Sequence, residues 1–402
     1  MSLPVPYHTS PGITLYAGDA VEVLAGLPDA SAACVVTSPP YWGALRDYDT
    51  RRWAAGIPGC RHTQTCTITR FDAGTPTTTC RRCGAIQEDR QYGHEPTPDA
   101  YIAALRRVFT ELARVLAPTG TVWLNLGDCH AARHTRTHPP ALRSGSPADD
   151  AGAGYRAVVR AKSLYGMPWR VAFALQDDGW IIRNAVVWHK PNGMPEPVTD
   201  RLTTRYELVF LLVRQPRYYF DLNPIREPAA APDAPIPDEN AVTGETDTAR
   251  SGEAGRASRR RASAVDGAGK YTDTAAFAGR PPGAAMRPTG RRHTAAHPAG
   301  RNPGDVWSIS TRPLREAHFA AFPIDLPLRA IAAGCPPGGV VLDPFSGAAT
   351  TGLAARHLDR RYIGIDLNPT FHDIGLARLG LHPPVSDNGD GDGDGAPERS
   401  AA

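Results

Sequence analysis

The sequence predicts an α/β protein with a Rossmann-like sheet, on the basis of two stretches far apart in the chain. Residues 13–41 have the pattern of strand, helix and strand, and polar groups follow both strands. Residues 340–366 repeat strand, turn, helix and strand, and each strand ends in an acid, Asp343 and Asp366. The carboxyl ends of strands lie at the edge where open α/β sheets bind ligands. We therefore expect these polar groups to form one site.

The length and composition place the chain among proteins with a large buried core. It has 402 residues and a formal net charge of +3, so there is no strong overall field. The basic residues are almost all Arg, which together with abundant Ala, Gly and Pro is typical of a GC-rich coding sequence. No apolar run is long enough to span a bilayer, and the first residues lack the features of a signal peptide. Seven Cys, an odd number, fit a cytoplasmic protein better than a disulfide framework.

The stretch 37–42, Thr-Ser-Pro-Pro-Tyr-Trp, follows a short apolar strand at 32–36. Two prolines stop the strand and remove two backbone donors, which leaves a stiff turn whose carbonyls have no partner in the sheet. Ser38 stands before the turn and two aromatic rings follow it. Rigid acceptors beside stacking rings suit a flat ligand with an amino group, such as a nucleobase. Taken alone, an ordinary strand-ending turn with two core aromatics explains the stretch equally well.

The pattern around Asp343 predicts a nucleotide-like half-site. A Gly-containing turn after the strand lets the backbone approach a ligand, and Asp366 can accept from two ribose hydroxyls. The stretch has no G-x-G-x-x-G motif, so a dinucleotide is not favoured. Asp19, which follows the first strand, is predicted either to cap the next helix or to face the cofactor.

The segment 43–95 is a polar, Thr- and Arg-rich insertion without clear periodicity. Its Cys-x-x-Cys-Gly sequence is typical of a zinc knuckle, because the tight turn points two thiolates at one ion. The predicted ligands are Cys60, His62, Cys80 and Cys83. Cys66 competes with His62 for the fourth position, and a set of unrelated free thiols is the alternative. A segment with so little apolar content needs a metal to fold.

Apolar periodicity predicts the remaining elements. Helices are expected at 98–116, 169–176 and 326–334, and strands at 121–126 and 206–213. Residues 180–188 are either an extended pair or one bent strand. The run at 217–220 is predicted to form a β-hairpin with the strand at 206–213.

We expect four regions in the chain. They are 1–227, which carries the predicted base-binding turn and the insertion; 228–305, a low-complexity and target-recognition region; 306–383, which carries the predicted nucleotide-binding half-site; and 384–402, a disordered tail. Ala, Gly, Pro, Arg and Asp dominate the second region, so it is predicted to be disordered or loosely ordered. Its cluster at 256–261 is predicted to be a solvated basic run or a DNA contact.

Asp343-Pro-Phe-Ser-Gly347 together with Ser38-Pro-Pro-Tyr41 resembles the amino-group DNA methyltransferases that use S-adenosylmethionine. In that family a D-P-F-x-G loop binds the methionine part of the cofactor, and an [S/D/N]-P-P-[Y/F/W] loop holds the target base. The target-base loop comes first and the cofactor loop last, which resembles the permuted β group. The resemblance covers roughly residues 13–222 and 306–380, but not the tail or most of 228–303. The zinc-like insertion is a departure from the minimal family pattern.

The resemblance implies a mostly parallel sheet with helices on both faces, and it implies roles for particular residues. The implied cofactor-binding residues are Asp19, Phe322, Asp343, Pro344, Phe345, Ser346, Gly347, Thr350 and Asp366. The implied catalytic residues are Ser38, Pro39, Pro40 and Tyr41. The implied partner is duplex DNA, from which the target base flips out onto Tyr41. The expected protein is bacterial or phage-encoded, and a cognate restriction enzyme and the oligomeric state stay open.

Within the family, Ser at position 38 favours the N4 amine of cytosine over the N6 amine of adenine. Cytosine-C5 methylation needs a Pro-Cys nucleophile, and no Pro is followed by Cys here. Three alternatives remain: an adenine-N6 enzyme, a non-catalytic zinc-containing DNA-binding protein, and an RNA or protein methyltransferase.

Overall fold

The computed structural model describes residues 4–43, 51–54, 56–57, 59–62, 66–72, 75–131, 159–228, 300–312 and 322–381. The chain divides into two units, Met1–Ile225 with Pro303–Ala402, and Arg226–Asn302. Most of the predicted low-complexity region, its basic cluster and the predicted tail lie outside the described residues. In the described part of the second unit, Glu227 and Arg301 form two backbone hydrogen bonds and an ion pair.

The first unit contains thirteen described strands and six described α-helices. The strands are β1 (His8–Ser10), β2 (Ile13–Ala17), β3 (Ala32–Thr37), β4 (Arg52–Ala54), β5 (Thr67–Asp72), β6 (Thr75–Cys80), β7 (Ile86–Glu88), β8 (Leu116–Leu126), β9 (Ile181–His189), β10 (Tyr206–Val213), β11 (Val306–Ser308), β12 (Val340–Asp343) and β13 (Arg361–Asp366). The helices are α1 (Ala20–Gly26), α2 (Pro98–Val115), α3 (Met167–Asp177), α4 (Asp325–Gly334), α5 (Thr350–His357) and α6 (Pro369–Arg378). In the part of the chain that the structure describes, no helix has the length and apolar character needed to cross a bilayer.

Nine strands form the main sheet, in the order β1-β2-β13-β12-β3-β8-β10-β9-β11. The five central strands, from β2 to β8, pair in parallel. After β3 the chain crosses over to β8 on one side, and after β12 it crosses to β13 on the other side. The strand order therefore reverses between β3 and β12, and open α/β sheets bind ligands in the crevice at such a point.

Side chains alternate between the two faces of the sheet, and each face buries its own apolar core. Val35, Leu342 and Leu124 belong to one cluster together with residues of α1, α2 and α3. Val36, Val341 and neighbouring positions belong to the other cluster, together with residues of α4, α5 and α6. The predicted α/β sheet, mostly parallel and covered by helices on both faces, is confirmed.

The best-defined helix, α2, shows how the sequence sets these elements. Thr97 caps it by accepting from the Ala100 amide at 2.8 Å, and Pro98 occupies its first turn, where no donor is needed. Its apolar residues recur at helical spacing, and this stripe is buried from Tyr101 to Val115. As a result, α2 fixes the Tyr101 side chain beneath the turn that follows β3.

The predicted hairpin between 206–213 and 217–220 is wrong. β10 pairs with β8 on one side and β9 on the other, so it has no free edge for a further strand. Residues 217–220 form no strand, and the Tyr219 amide instead donates to the carbonyl of Thr119 at 2.8 Å. Residues 181–189 form one strand, in agreement with the bent-strand alternative.

The insertion, predicted to lack periodicity, contains a second sheet of four strands in the order β4-β7-β6-β5. All pairs are antiparallel. In the described part of this small sheet, the buried cluster consists of Cys66, Cys80 and Ala85. Such a small cluster stabilises a sheet weakly, which leaves a large part of the stability to other interactions.

Candidate active site

The turn after β3 and the loop after β12 meet at the switch point of the sheet. The Thr37 hydroxyl donates to one oxygen of Asp343 at 2.7 Å, and the Thr351 hydroxyl donates to the other at 2.7 Å. The Phe345 amide also donates to Asp343, at 3.1 Å. Burial of the carboxyl raises the pKa of Asp343 to about 6, although these donors oppose the shift. The structure thus brings the two predicted loops together through one buried carboxylate.

The rest of the D-P-F-S-G loop is fixed by β13. Asp366 accepts from the amides of Gly347 at 2.7 Å and Asn368 at 2.9 Å. The Ser346 hydroxyl lies 2.8 Å from the hydroxyl of Tyr362, and the two form a hydrogen bond. Burial raises the pKa of Asp366 to about 6, as it does for the acid of β12. Both acids that the sequence placed at strand ends therefore lie at this crevice.

Asp19 caps the helix that follows it, which is one of the two roles that the sequence left open. Its carboxylate caps α1 by accepting from the Val21 amide at 2.9 Å. The preceding Gly18 amide donates to the carbonyl of Asp366 at 2.9 Å, so the end of β2 lies beside the end of β13. Asp19 therefore lies at the same edge of the sheet as the other two acids.

Two predicted cofactor residues are less directly connected to this group. Thr350 begins α5, and its hydroxyl accepts from the Arg378 guanidinium at 2.9 Å. Phe322 is half-buried and packs against the apolar core on the face of the sheet that α4, α5 and α6 cover. Within the described residues no hydrogen bond or ring contact joins it to the loop after β12.

Residues of α2 and of the segment after β8 contact the Ser-Pro-Pro-Tyr turn. Tyr101 of α2 donates its hydroxyl to the carbonyl of Pro40 at 2.9 Å. No hydrogen bond to the Pro39 carbonyl occurs among the described residues, so that oxygen keeps its lone pairs. The Tyr41 ring lies directly on Gly127, where an added Cβ would approach the ring to 2.4 Å. Only glycine leaves room for the ring at this point.

A buried polar network connects this turn to β8 and β10. Asn125, whose side chain is 2% exposed, accepts from the Ser38 hydroxyl at 3.1 Å. The Tyr41 hydroxyl donates to Glu207 at 2.7 Å and lies 3.0 Å from the Asn125 oxygen. Glu207 also accepts from the Asn125 amide at 3.2 Å and forms an ion pair with Lys190. The network fixes the directions of both the Ser38 and Tyr41 hydroxyls.

Sequence reasoning did not assign roles to Asn125, Glu207 and Lys190. A signal for two of them was present, since Asn125 and Glu207 are polar residues inside strands that are otherwise almost wholly apolar. Polar groups in such places are hydrogen-bonded when buried, and they often define a site.

The four predicted metal ligands of the insertion lie together. Their ligand atoms are all within 4.8 Å of one another. The sulfurs of Cys60 and Cys80 are 3.9 Å apart, and Nε2 of His62 lies 3.3 Å from the sulfur of Cys83. Zinc–sulfur bonds of about 2.3 Å place the ligands of a tetrahedral site roughly 3.8 Å apart. The donor set and its spacing fit a structural zinc ion.

One thiol of this cluster, that of Cys83, has a pKa below its usual value. Backbone amides of Ala85 and Ile57 donate to Cys83 and lower its pKa to about 6, which favours a thiolate at neutral pH. Cys66 is not a member of the four, although its sulfur lies 3.7 Å from that of Cys80. No other group of three or more His, Cys, Asp or Glu has this geometry within the described residues.

The nine-stranded sheet is an α/β fold with two loops joined at its switch point. A family model described as "DNA methylase" and named for N6 and N4 enzymes matches residues 32–377. The chain belongs to this family of N6/N4 DNA methylases.

Curated relatives and a solved structure agree with this assignment. Type II methyltransferase M.Cfr9I of Citrobacter freundii is 32% identical, over 92% of this chain and 88% of its own length. Type II methyltransferase M.SfiI of Streptomyces fimbriatus is 31% identical, over 94% of each chain. The structure of the PvuII DNA methyltransferase, described as cytosine-N4-specific, has a TM-score of 0.51 at 16% identity and covers 94% of this chain and 89% of its own. The similarity to PvuII shows a shared fold.

The Glu207 network generates a prediction for the methylation rate. Glu207→Gln replaces one carboxylate oxygen with an amide nitrogen, which cannot accept a hydrogen bond. The substitution also removes the negative charge that pairs with Lys190. We expect the initial rate of DNA methylation at saturating substrates to fall about tenfold or more, because the Tyr41 hydroxyl loses its fixed position.

Asp178→Asn is the matched control, because it removes a carboxylate that pairs with Arg106 at the protein surface. It should leave the rate unchanged, and thermal melting should show both variants folded. An unchanged rate in Glu207→Gln would show that the network has no part in methylation.

Proposed function

We propose that this protein transfers a methyl group from S-adenosylmethionine to the exocyclic N4 amine of cytosine in duplex DNA. The observation that carries the proposal is the hydrogen bond between Thr37 and Asp343, which holds the target-base loop beside the cofactor loop. Two reacting groups bound by these loops would meet at the switch point. Holding reactants in this way removes much of the entropic barrier to a bimolecular step.

The turn after β3 supplies the acceptors that an aromatic amine needs. The lone pair of such an amine is delocalised into its ring, so the nitrogen is a poor nucleophile. The Pro39 carbonyl and the Ser38 oxygen accept its two N–H groups and direct the lone pair toward the methyl group. The Ser38 hydroxyl donates its hydrogen bond to the Asn125 side-chain oxygen, so the lone pairs of the Ser38 oxygen stay available. As an amide, Asn125 cannot serve as a base, so Ser38 acts as an acceptor and not as a proton relay. The N–C bond to the methyl group would form as its bond to the sulfonium sulfur breaks, and the proton that the methylated amine then loses would pass to solvent.

The target base must leave the duplex to reach this turn, and the Tyr41 ring is the surface on which it stacks. Gly127 supports that ring from one side and Glu207 fixes its hydroxyl. The ring is thereby presented in one orientation, and a stacking surface that does not move loses little entropy when the base binds.

The cofactor supplies a methyl group on a sulfonium, which is already a strong electrophile. The residues at the crevice suit it, because Asp366 can accept from ribose hydroxyls and Asp19 lies at the adenine end. The loop from Asp343 to Gly347 holds the methionine part. Phe322 and Thr350 complete the proposed pocket from the segments before α4 and at the start of α5.

The raised pKa values of Asp343 and Asp366, each about 6, predict pH-dependent cofactor binding. Both groups are carboxylates above pH 6 and become neutral below it, and a neutral carboxyl accepts fewer hydrogen bonds from the ribose. The dissociation constant of S-adenosylmethionine, measured by calorimetry, should increase about tenfold between pH 7 and pH 5.

The contribution of these two groups to folding has the opposite sign. Their folded pKa lies above the ordinary value of 3.8, so this contribution is fully present below about pH 4 and is lost as the pH rises through 6. Thermal melting at each pH serves as the control for weakened binding by a folded protein. A dissociation constant that does not change from pH 7 to pH 5 would contradict the assignment of Asp366 to the ribose.

Mass spectrometry of nucleosides tests the proposed product. DNA treated with the wild-type protein and S-adenosylmethionine should contain N4-methylcytosine. Pro39→Ala should reduce product formation by about a hundredfold, because the flexible turn no longer aims its carbonyl. Pro4→Ala, at a half-buried position outside the site, is the matched control.

Other products would identify the alternatives. N6-methyladenine without N4-methylcytosine would make the protein an adenine enzyme. Methylation of RNA or protein in competition with duplex DNA would assign another substrate class. Binding of DNA with no methylated product would leave a non-catalytic zinc-containing DNA-binding protein.

We also propose that Cys60, His62, Cys80 and Cys83 hold one structural zinc ion. The small apolar cluster of the insertion requires such a cross-link. Purified protein should contain one zinc per chain by elemental mass spectrometry. Cys83→Ser and His62→Ala should lose the metal, whereas Cys66→Ser should keep it. Loss of zinc from Cys66→Ser together with its retention in His62→Ala would make Cys66 the fourth ligand in place of His62.

A further inference from the structure

The short segment between the small sheet and α2, residues 89–95, lies against the target-base loop. We refer to it as the return segment. The Trp42 indole donates to the carbonyl of Glu95 at 3.0 Å. An added Cβ on Gly93 would lie 2.5 Å from the carbonyl oxygen of Tyr41, so the two backbones are in close contact. The return segment therefore cannot move without disturbing the loop that follows β3.

Tyr92 extends from the return segment to the other half of the site. Its ring meets the Phe345 ring edge to face, with centroids 5.0 Å apart and planes at 79°. Burial, followed by the negative charge of Asp19, raises the pKa of the Tyr92 hydroxyl, and the side chain is 9% exposed. Asp19 follows β2 and Phe345 follows β12, so one side chain links the ends of two strands.

The small sheet fixes where the return segment begins. β7 ends at Glu88, one residue before the segment, and pairs with β4 on one side and β6 on the other. Cys80 ends β6, and Cys83 lies three residues before β7. Arg90 then ties the segment to α1 through an ion pair with Glu22 at 3.0 Å. Two of the four cluster residues, Cys80 and Cys83, therefore lie on the stretch of chain that leads through β7 to Tyr92.

We propose that the metal-binding insertion is a structural part of the cofactor pocket, and that Tyr92 is the positioning residue through which it acts. A bound metal would fix β7 through Cys80 and Cys83, β7 fixes the return segment, and Tyr92 positions Phe345 and Asp19, two residues of the proposed cofactor pocket. This inference rests on the proposed function. Because coupling between two binding sites is reciprocal, zinc strengthens cofactor binding and the cofactor strengthens zinc binding.

Two substitutions of Tyr92 test the positioning role with the metal in place. Tyr92→Phe keeps the ring contact and loses the hydroxyl, whereas Tyr92→Leu loses both. The dissociation constant of S-adenosylmethionine, from calorimetry, should rise about threefold and about tenfold respectively. The rate at saturating cofactor should stay within about twofold of wild type, because the reacting atoms are not touched.

Tyr7→Phe is the matched control, since it removes a hydroxyl that bonds to exposed Asp373 at 2.6 Å. It should leave the dissociation constant unchanged. Zinc content and circular dichroism establish that each variant is folded and loaded. Wild-type affinity in Tyr92→Leu would overturn the proposal.

Removal of the metal tests the other half of the proposal. Protein stripped of zinc by a chelator should bind S-adenosylmethionine about tenfold more weakly, and added Zn²⁺ should restore the affinity. Binding of a duplex in the absence of cofactor is measured on the same samples. Weaker duplex binding with unchanged cofactor affinity would overturn the proposal and make the insertion a DNA contact. Wild-type protein that binds no S-adenosylmethionine at all would refute the proposed function, a result distinct from either of these.

Discussion

The buried hydrogen bond between Thr37 and Asp343 is the interaction on which the site depends. It joins the ends of two neighbouring parallel strands, β3 and β12, from which the two functional loops depart in opposite directions. A buried carboxylate destabilises a fold unless its oxygens are used, and here two hydroxyls and one backbone amide use them. The raised pKa of Asp343 is the remaining sign of that burial. Asp343 lies at the switch point of the sheet, where open α/β sheets bind ligands.

The target-base turn has its own supports on the opposite side. Asn125 and Glu207 lie within apolar strands and direct their polar atoms toward Ser38 and Tyr41. Tyr101 occupies the carbonyl of Pro40 and so distinguishes it from its neighbour in the turn. Rigid strands thus position each polar atom of a loop that must itself present free acceptors, as a preorganised site requires.

Local patterns were enough to predict the strands that end in acids, the Pro-Pro turn and the Cys-x-x-Cys knuckle. The contact between Asn125 and Glu207 was not predictable, because it depends on the register of β10 against β8, where Val209 lies opposite Asn125. The expected hairpin at 217–220 failed because both sides of β10 are taken, one by β9, the strand before it in the chain, and the other by the more distant β8. The strands of the insertion escaped prediction because Thr and other polar residues stand where alternating apolar residues normally mark a strand, as in β5 (TITRFD) and β6 (TPTTTC).

The position of β12 and β13 between β2 and β3 has a consequence for how the molecule is made. Thr37 and Asp343 are 306 residues apart, so the ribosome releases β2 and β3 long before the two strands that separate them. Until β12 and β13 are synthesised, the edges of β2 and β3 that these strands will occupy have no partner. Contacts between residues this distant form slowly, because a long loop must close first. The centre of the sheet, and the catalytic crevice with it, is therefore assembled in a late step of folding.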